Sequence, residues 1–149
     1  CALDTSGAID CWGGDDYGQV TSTPSDSGHT ALSACELHTC ALDASGSIAC
    51  WGAEDTTSDF GQVSKAPSGS GYTDVTSGYF HSCALDAGSA VECWGVDDGS
   101  FWDSGQVTSV PTGTFRAVGA GGYHACAITT SGAIECWGKN DNGQVTNAP

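Results

Sequence analysis

Apolar and polar residues alternate over short stretches and never settle into a sustained three-to-four spacing, which predicts strands and argues against helices. YTDVTSG, at 72–78, alternates loosely between bounding glycines, as a strand with one buried face should. HSCALD and AVECWG follow it as two further strands joined by a tight turn, and a short GQVT forms a fourth. The fourth ends near a proline, which cannot donate to a ladder. In CALDTSGAIDC, setting Cys1 opposite Cys11 also sets Leu3 opposite Ile9 and Asp4 opposite Ala8. That leaves Thr5-Ser6-Gly7 as a three-residue loop whose glycine takes the left-handed position. Gly46 and Gly132 keep this arrangement, whereas Gly88 stands one place early.

The hairpin recurs. First cysteines fall at 1, 40, 83 and 126, and Cys-Trp-Gly begins at 11, 50, 93 and 136. Gly-Gln-Val begins at 18, 61, 105 and 143, with prolines at 24, 67, 111 and 149. A histidine stands two residues before each internal first cysteine, at His38, His81 and His124. The expected organisation is one region over 1–149, with repeats at about 1–39, 40–82, 83–125 and a partial 126–149. Units of about 40 residues with four strands each read as blades of a β-propeller; a β-solenoid usually has shorter rungs.

HTCALDASGSIACWG, followed by a polar turn, GQV and a proline, resembles the repeat of the regulator of chromosome condensation family, in the cysteine-bearing form of bacterial extracellular proteins. The resemblance spans essentially the whole chain. It implies an all-β fold of propeller blades, each of four antiparallel strands with a disulfide-stapled hairpin. Family members typically form seven blades, and about three and a half repeats here imply an arc, an assembled ring or a fragment of one.

Cysteines opposed in an antiparallel hairpin have α-carbons near the separation that a disulfide accepts when the pair is not hydrogen-bonded. The expected pairs are Cys1–Cys11, Cys40–Cys50, Cys83–Cys93 and Cys126–Cys136. Each closes a loop of about eleven residues, worth roughly 2–3 kcal/mol by chain entropy. A zinc site needs four clustered ligands, and a blade offers two cysteines and one histidine. Cys35 has no partner in the pattern and stands where later repeats have Gly78 and Gly121. It reads as a buried free thiol, with pairing to another chain as the alternative. The recurring tryptophans read as packing between blades, and the recurring histidines as structural groups bonded to turn carbonyls. His29 lies in a glycine-rich connection with no nucleophile motif beside it, so no catalytic residue is assigned.

The segment between Trp-Gly and Gly-Gln is the variable one: GDDY, AEDTTSDF, VDDGSFWDS and KNDN. Insertions tolerated at one edge of a repeat scaffold mark a recognition surface. The candidate partner-binding residues are Tyr17, Phe60, Phe101, Trp102 and Asp103. Asp15, Asp16, Asp97 and Asp98 are weak candidates for calcium, with Glu54, Asp55, Asp59, Asp103 and Asp141 further acids in these loops. No loop has the spacing of a known calcium motif, and turn-capping explains most of the acids. No other cofactor is expected.

Charge narrows the partners. Eighteen acidic residues against three basic ones give a formal charge of −15, which disfavours phosphate backbones and anionic membrane surfaces. No apolar run approaches the roughly 20 residues of a spanning helix. Nine cysteines with no methionine fit an oxidising compartment, so the chain is expected to be secreted or displayed on a cell surface. The repeat explains Cys1 without a lipid anchor, and a signal peptide would have been cleaved or left out. The expected function is a non-enzymatic extracellular binding or structural scaffold within a larger surface or fibre-forming protein. Its partner would be a protein or a glycan, with self-association into a ring or fibre a further expectation and a lectin-like adhesin the alternative.

Overall fold

The computed structural model describes residues 1–53 and 57–149. Glu54 and Asp55 lie outside the described residues. Eleven strands are described: β1 (Ala2–Leu3), β2 (Ile9–Asp10), β3 (His29–Ala34), β4 (His38–Asp43), β5 (Ile48–Gly52), β6 (Tyr72–Ser77), β7 (His81–Asp86), β8 (Val91–Gly95), β9 (Phe115–Ala120), β10 (His124–Thr129) and β11 (Ile134–Gly138). They form four antiparallel sheets in the orders β1-β2, β3-β4-β5, β6-β7-β8 and β9-β10-β11. These are propeller blades in sequence order.

The described blades hold at most three strands, not four. The Gly-Gln-Val segment is a turn: the amides of Ser22, Lys65, Ser109 and Asn147 donate to the carbonyls of Gly18, Gly61, Gly105 and Gly143 at 2.9–3.1 Å. Those glycines have φ of 77–98°, outside strand geometry. Side chains close the turn from within. Asp15 Oδ1 accepts from Val20 and Thr21, and Asn140 Oδ1 accepts from Val145 and Thr146. Amides spent on such local caps cannot also pair with a strand.

In each hairpin the cysteines face one another, Cys40 opposite Cys50, Cys83 opposite Cys93 and Cys126 opposite Cys136. The amide of Asp43 donates to Ser47, so alternation along the ladder leaves Cys40 and Cys50 as a non-hydrogen-bonded pair. Four disulfides result, with Cα–Cα separations of 4.0–4.1 Å, including Cys1–Cys11.

Three devices join successive blades. The first strands β3, β6 and β9 lie side by side, where Ser77 N donates to Ser33 Oγ and Ala120 N to Thr76 Oγ1. Hairpin tips bind the start of the next first strand: Gly28 and His29 donate to Ser6 and Gly7, and Gly71 and Tyr72 to Ser45 and Gly46. Tryptophan supplies the third. Trp51, Trp94 and Trp137 are each 4% exposed, and their Nε1 groups donate to the backbone carbonyls of Gln19, Gln62 and Gln106 in the preceding repeat at 2.9–3.0 Å. Each indole packs in a cluster with the preceding hairpin: Trp94 with Cys40 and Leu42, Trp137 with Cys83 and Leu85. The core is thus a series of small inter-blade clusters.

Candidate functional site: an aromatic face

The site is built at the edge where the middle strands begin and the third strands end. Tyr79 and Phe80 occupy the turn between β6 and β7, tightened by Gly78 N donating to His81 O. Gly121 N does the same toward His124 O, placing Tyr123 in the corresponding turn of the next blade. The chain leaving each Trp-Gly is tied beside these turns, since Val96 N donates to Phe80 O and Lys139 N to Tyr123 O. The variable loops therefore emerge next to the turn aromatics.

The long loop at 97–104 is pinned by its own polar groups. Asp98 Oδ1 accepts from Ser100 N, Asp103 accepts from Gly99 N and Gly105 N, and Gln106 Nε2 donates to the Trp102 carbonyl at 2.8 Å. So held, Trp102 stacks on Tyr123 at 5.9 Å and 14°, and its ring centroid lies 5.2 Å from Phe80 and 5.0 Å from Phe101. Phe60, from the previous variable loop, meets Phe80 edge-on at 5.0 Å. Tyr79 meets Tyr123 edge-on at 5.3 Å. Phe101 is 81% exposed and Trp102 37%, so the cluster opens to solvent at its loop end. Lys139 Nζ lies 5.1 Å from the Tyr123 ring centroid and 5.7 Å from that of Phe101, and pairs with Asp141 at 3.2 Å.

Phe60, Phe101 and Trp102 thus come together, and Asp103 serves them as a loop cap. Tyr17 stands apart, lining a groove of about 470 Å³ beside Trp12, Cys35 and Glu36. Tyr79, Phe80, Tyr123 and Lys139 were not singled out in the sequence. For the three aromatics the signal was their place directly before the recurring histidine, in YFH and GYH.

The calcium candidates are dispersed. Hydrogen bonds from backbone amides occupy Asp15, and those from Ser100 occupy Asp98, holding both carboxyls below the usual carboxylate range. Asp16 and Asp97 are exposed. No group of three or more His, Cys, Asp or Glu suited to a metal occurs among the described residues.

The recurring histidines do not bond turn carbonyls as a set. His38 Nε2 lies 2.7 Å from Ser82 Oγ of the next blade, whereas Ala125 replaces that serine one repeat later and His81 lies against the His124 backbone instead. Burial, reinforced by the neighbouring histidine, pushes both pKa values down to about 4. His29 begins β3 and approaches the Gly7 carbonyl at 3.1 Å. Cys35 takes the turn-glycine place, its amide donating to His38 O, and burial pushes its half-buried thiol up. That keeps it protonated and weakly nucleophilic.

The pattern defining the regulator of chromosome condensation (RCC1) repeat matches residues 115–144. No curated protein matches the chain in sequence. Among solved structures, the ectodomain of the Arabidopsis thaliana receptor kinase ACR4 superposes with a TM-score of 0.77 at 23% identity, covering 100% of this chain and 49% of that one. The ectodomain of the Physcomitrella patens receptor kinase CR4 gives 0.66 at 31% identity, covering 89% and 36%. Prp20p from Saccharomyces cerevisiae, described with its binding to Gsp1p and histones, gives 0.72 at 18% identity, covering 99% and 44%. The chain spans about half or less of these structures.

Proposed function

We propose that this chain, which matches the regulator of chromosome condensation repeat over residues 115–144 and shares the propeller fold of a receptor ectodomain and of Prp20p, is a non-enzymatic extracellular binding module that engages a protein partner through its aromatic face. The observation that carries this reading is the joining of six rings from two repeats' variable loops and two inter-strand turns into one cluster with an open end. Exposed Trp and Phe held in a preorganised cluster supply large contact area at little entropic cost. Four disulfides and the likeness to two receptor ectodomains support an extracellular setting. The chain acts as a scaffold in which identical staples hold blades while unequal loops carry recognition.

The Trp102 indole lying nearly parallel to Tyr123 favours a second reading, a lectin-like platform on which a sugar ring stacks. One experiment separates the two. Wild type and the Phe101→Ala/Trp102→Ala double variant are screened against arrays of extracellular proteins and of glycans. Binding to a protein that weakens at least tenfold in the variant supports the first reading, and the same loss on a glycan supports the second. Interactions that the variant retains in full would remove the aromatic face from both.

A further inference from the structure

One charged side chain sits within the aromatic face. Lys139 Nζ lies over two rings, 5.1 Å from the Tyr123 centroid and 5.7 Å from that of Phe101, and pairs with Asp141 Oδ2 at 3.2 Å. The two rings come from different elements. Phe101 belongs to the variable loop after β8 and Tyr123 to the turn between β9 and β10, so they converge where the third and fourth blades meet. An ammonium held over ring faces and beside a carboxylate is the arrangement of a cage for an alkyl cation.

This ammonium is out of pattern. The residue after Trp-Gly is Gly14, Ala53 and Val96 in the other repeats, and only the fourth repeat carries a charge there. The contact is also loosely held. The Lys139 side chain keeps 29% of its surface exposed, its Asp141 partner 71%, and Phe101 is 81% exposed. A flexible lysine in so open a contact gains little from it and leaves it readily. The surroundings favour another cation in its place. Asp97 and Asp98 stand exposed on the loop that carries Phe101, and eighteen acidic residues oppose three basic ones over the chain. Of the two other basic residues, Lys65 donates to the Gly95 carbonyl and Arg116 stands exposed on β9.

We propose that this cage is a recognition subsite for a lysine side chain of the protein partner, and that Lys139 holds the place of that ligand in the free protein. The proposal rests on the reading of the aromatic face as a protein-binding surface and gives the partner its chemistry: a basic segment rather than an acidic or purely apolar one. On binding, the incoming ammonium takes over the faces of Tyr123 and Phe101 and the Asp141 carboxylate, while Lys139 swings out to water. One cation replaces another, so no charge is left without a partner. Complementarity extends beyond the cage, because the acid excess draws a basic segment toward the protein. Competition from Lys139 lowers the apparent affinity by the fraction of time it fills the cage, and removing it restores that affinity.

The probe is a fluorescein-labelled peptide of alternating lysine and glycine, compared by anisotropy with the same peptide carrying norleucine or glutamate, at an ionic strength that screens long-range charge. It is titrated with the 149-residue protein and with Lys139→Gln, Phe101→Leu and Arg116→Gln, each verified as folded by circular dichroism and a count of four disulfides. The lysine peptide is expected to bind most tightly. Phe101→Leu keeps apolar area but removes the ring face, and should weaken that peptide about threefold. Lys139→Gln should tighten it about fivefold, whereas Arg116→Gln, which removes the same charge elsewhere, should leave it unchanged. Equal tightening by the two neutralising variants would reduce the effect to net charge and overturn the proposal. Norleucine bound as tightly as lysine, Phe101→Leu binding as well as wild type, or a lysine peptide that does not bind also overturns it. Preference for glutamate that Lys139→Gln abolishes would overturn it in favour of an acidic partner contacted by Lys139. These outcomes are separate from failure of the aromatic face itself, which the array comparison of wild type with Phe101→Ala/Trp102→Ala decides.

Discussion

At the hairpin tip, Gly46 sits at φ 76°, and a β-carbon there would lie 2.4 Å from the Tyr72 carbonyl oxygen. Glycine is needed twice over, for the left-handed backbone and for the close approach of the next blade. Repeat three sets its glycine one position early, and the chain does not move its turn to follow. The pairing of Cys83 with Cys93 holds the loop at three residues, so Ser89 takes the glycine's place at φ 69°. Relief of that strain predicts that Ser89→Gly raises stability by about 1 kcal/mol, and that Gly46→Ala lowers it by about 2 kcal/mol. Urea midpoints of the two variants check this, and a destabilised Ser89→Gly would contradict it. The displaced glycine was legible in the sequence, but the strained serine was not, because only the fixed ladder decides between a shifted turn and a strained one.

At the scale of elements, four tryptophans that look equivalent in sequence divide three to one. Trp94→Ala is expected to cost about 3–5 kcal/mol, the range for emptying a large buried aromatic site, whereas Trp12→Ala should change stability by no more than about 0.5 kcal/mol. Urea denaturation separates the two, and comparable losses would contradict the difference in burial between Trp94 and Trp12. The Gly-Gln-Val segment teaches a related lesson. Its alternation reads as a short strand, yet its positive-φ glycine and the flanking Asp or Asn close it into a capped turn. That turn presents the glutamine carbonyl to the next tryptophan. Local capping chemistry overrode a weak period-two signal.

At the scale of the molecule, acid should loosen the inter-blade contacts. His38 faces His81, Asp59 and the Ser82 hydroxyl, and His81 faces His124; both rings are fully buried. Their folded pKa values near 4 lie below the ordinary value of 6.5, so between those limits the unfolded chain binds more protons than the folded one. Stability is therefore complete above about pH 6.5 and falls as pH drops toward 4, by at most about 1.4 kcal/mol per pH unit for each ring. Relief of the acidic repulsion works the other way as the carboxylates protonate. The clean measurement is thus a comparison of wild type with His81→Leu by urea denaturation between pH 4.5 and 7. A shallower slope in the variant is expected, and equal slopes would exclude the buried ring as a source.

Residue order alone determined the stapled hairpin at the centre of each blade. Cysteines ten apart, apolar residues opposed across a three-residue loop and a period of 39 to 43 residues each constrain neighbours along the chain, and hairpins and disulfides are made of such local relations. Tertiary structure decided the rest. Phe60, Tyr79, Phe80, Trp102 and Tyr123 span more than 60 positions and belong to no single motif, so they become one aromatic face only when sheets stack side by side and bring their loop edges together. The difference between Trp12 and Trp51 has the same origin. Burial depends on whether another blade stands against the indole, and no local pattern carries that information.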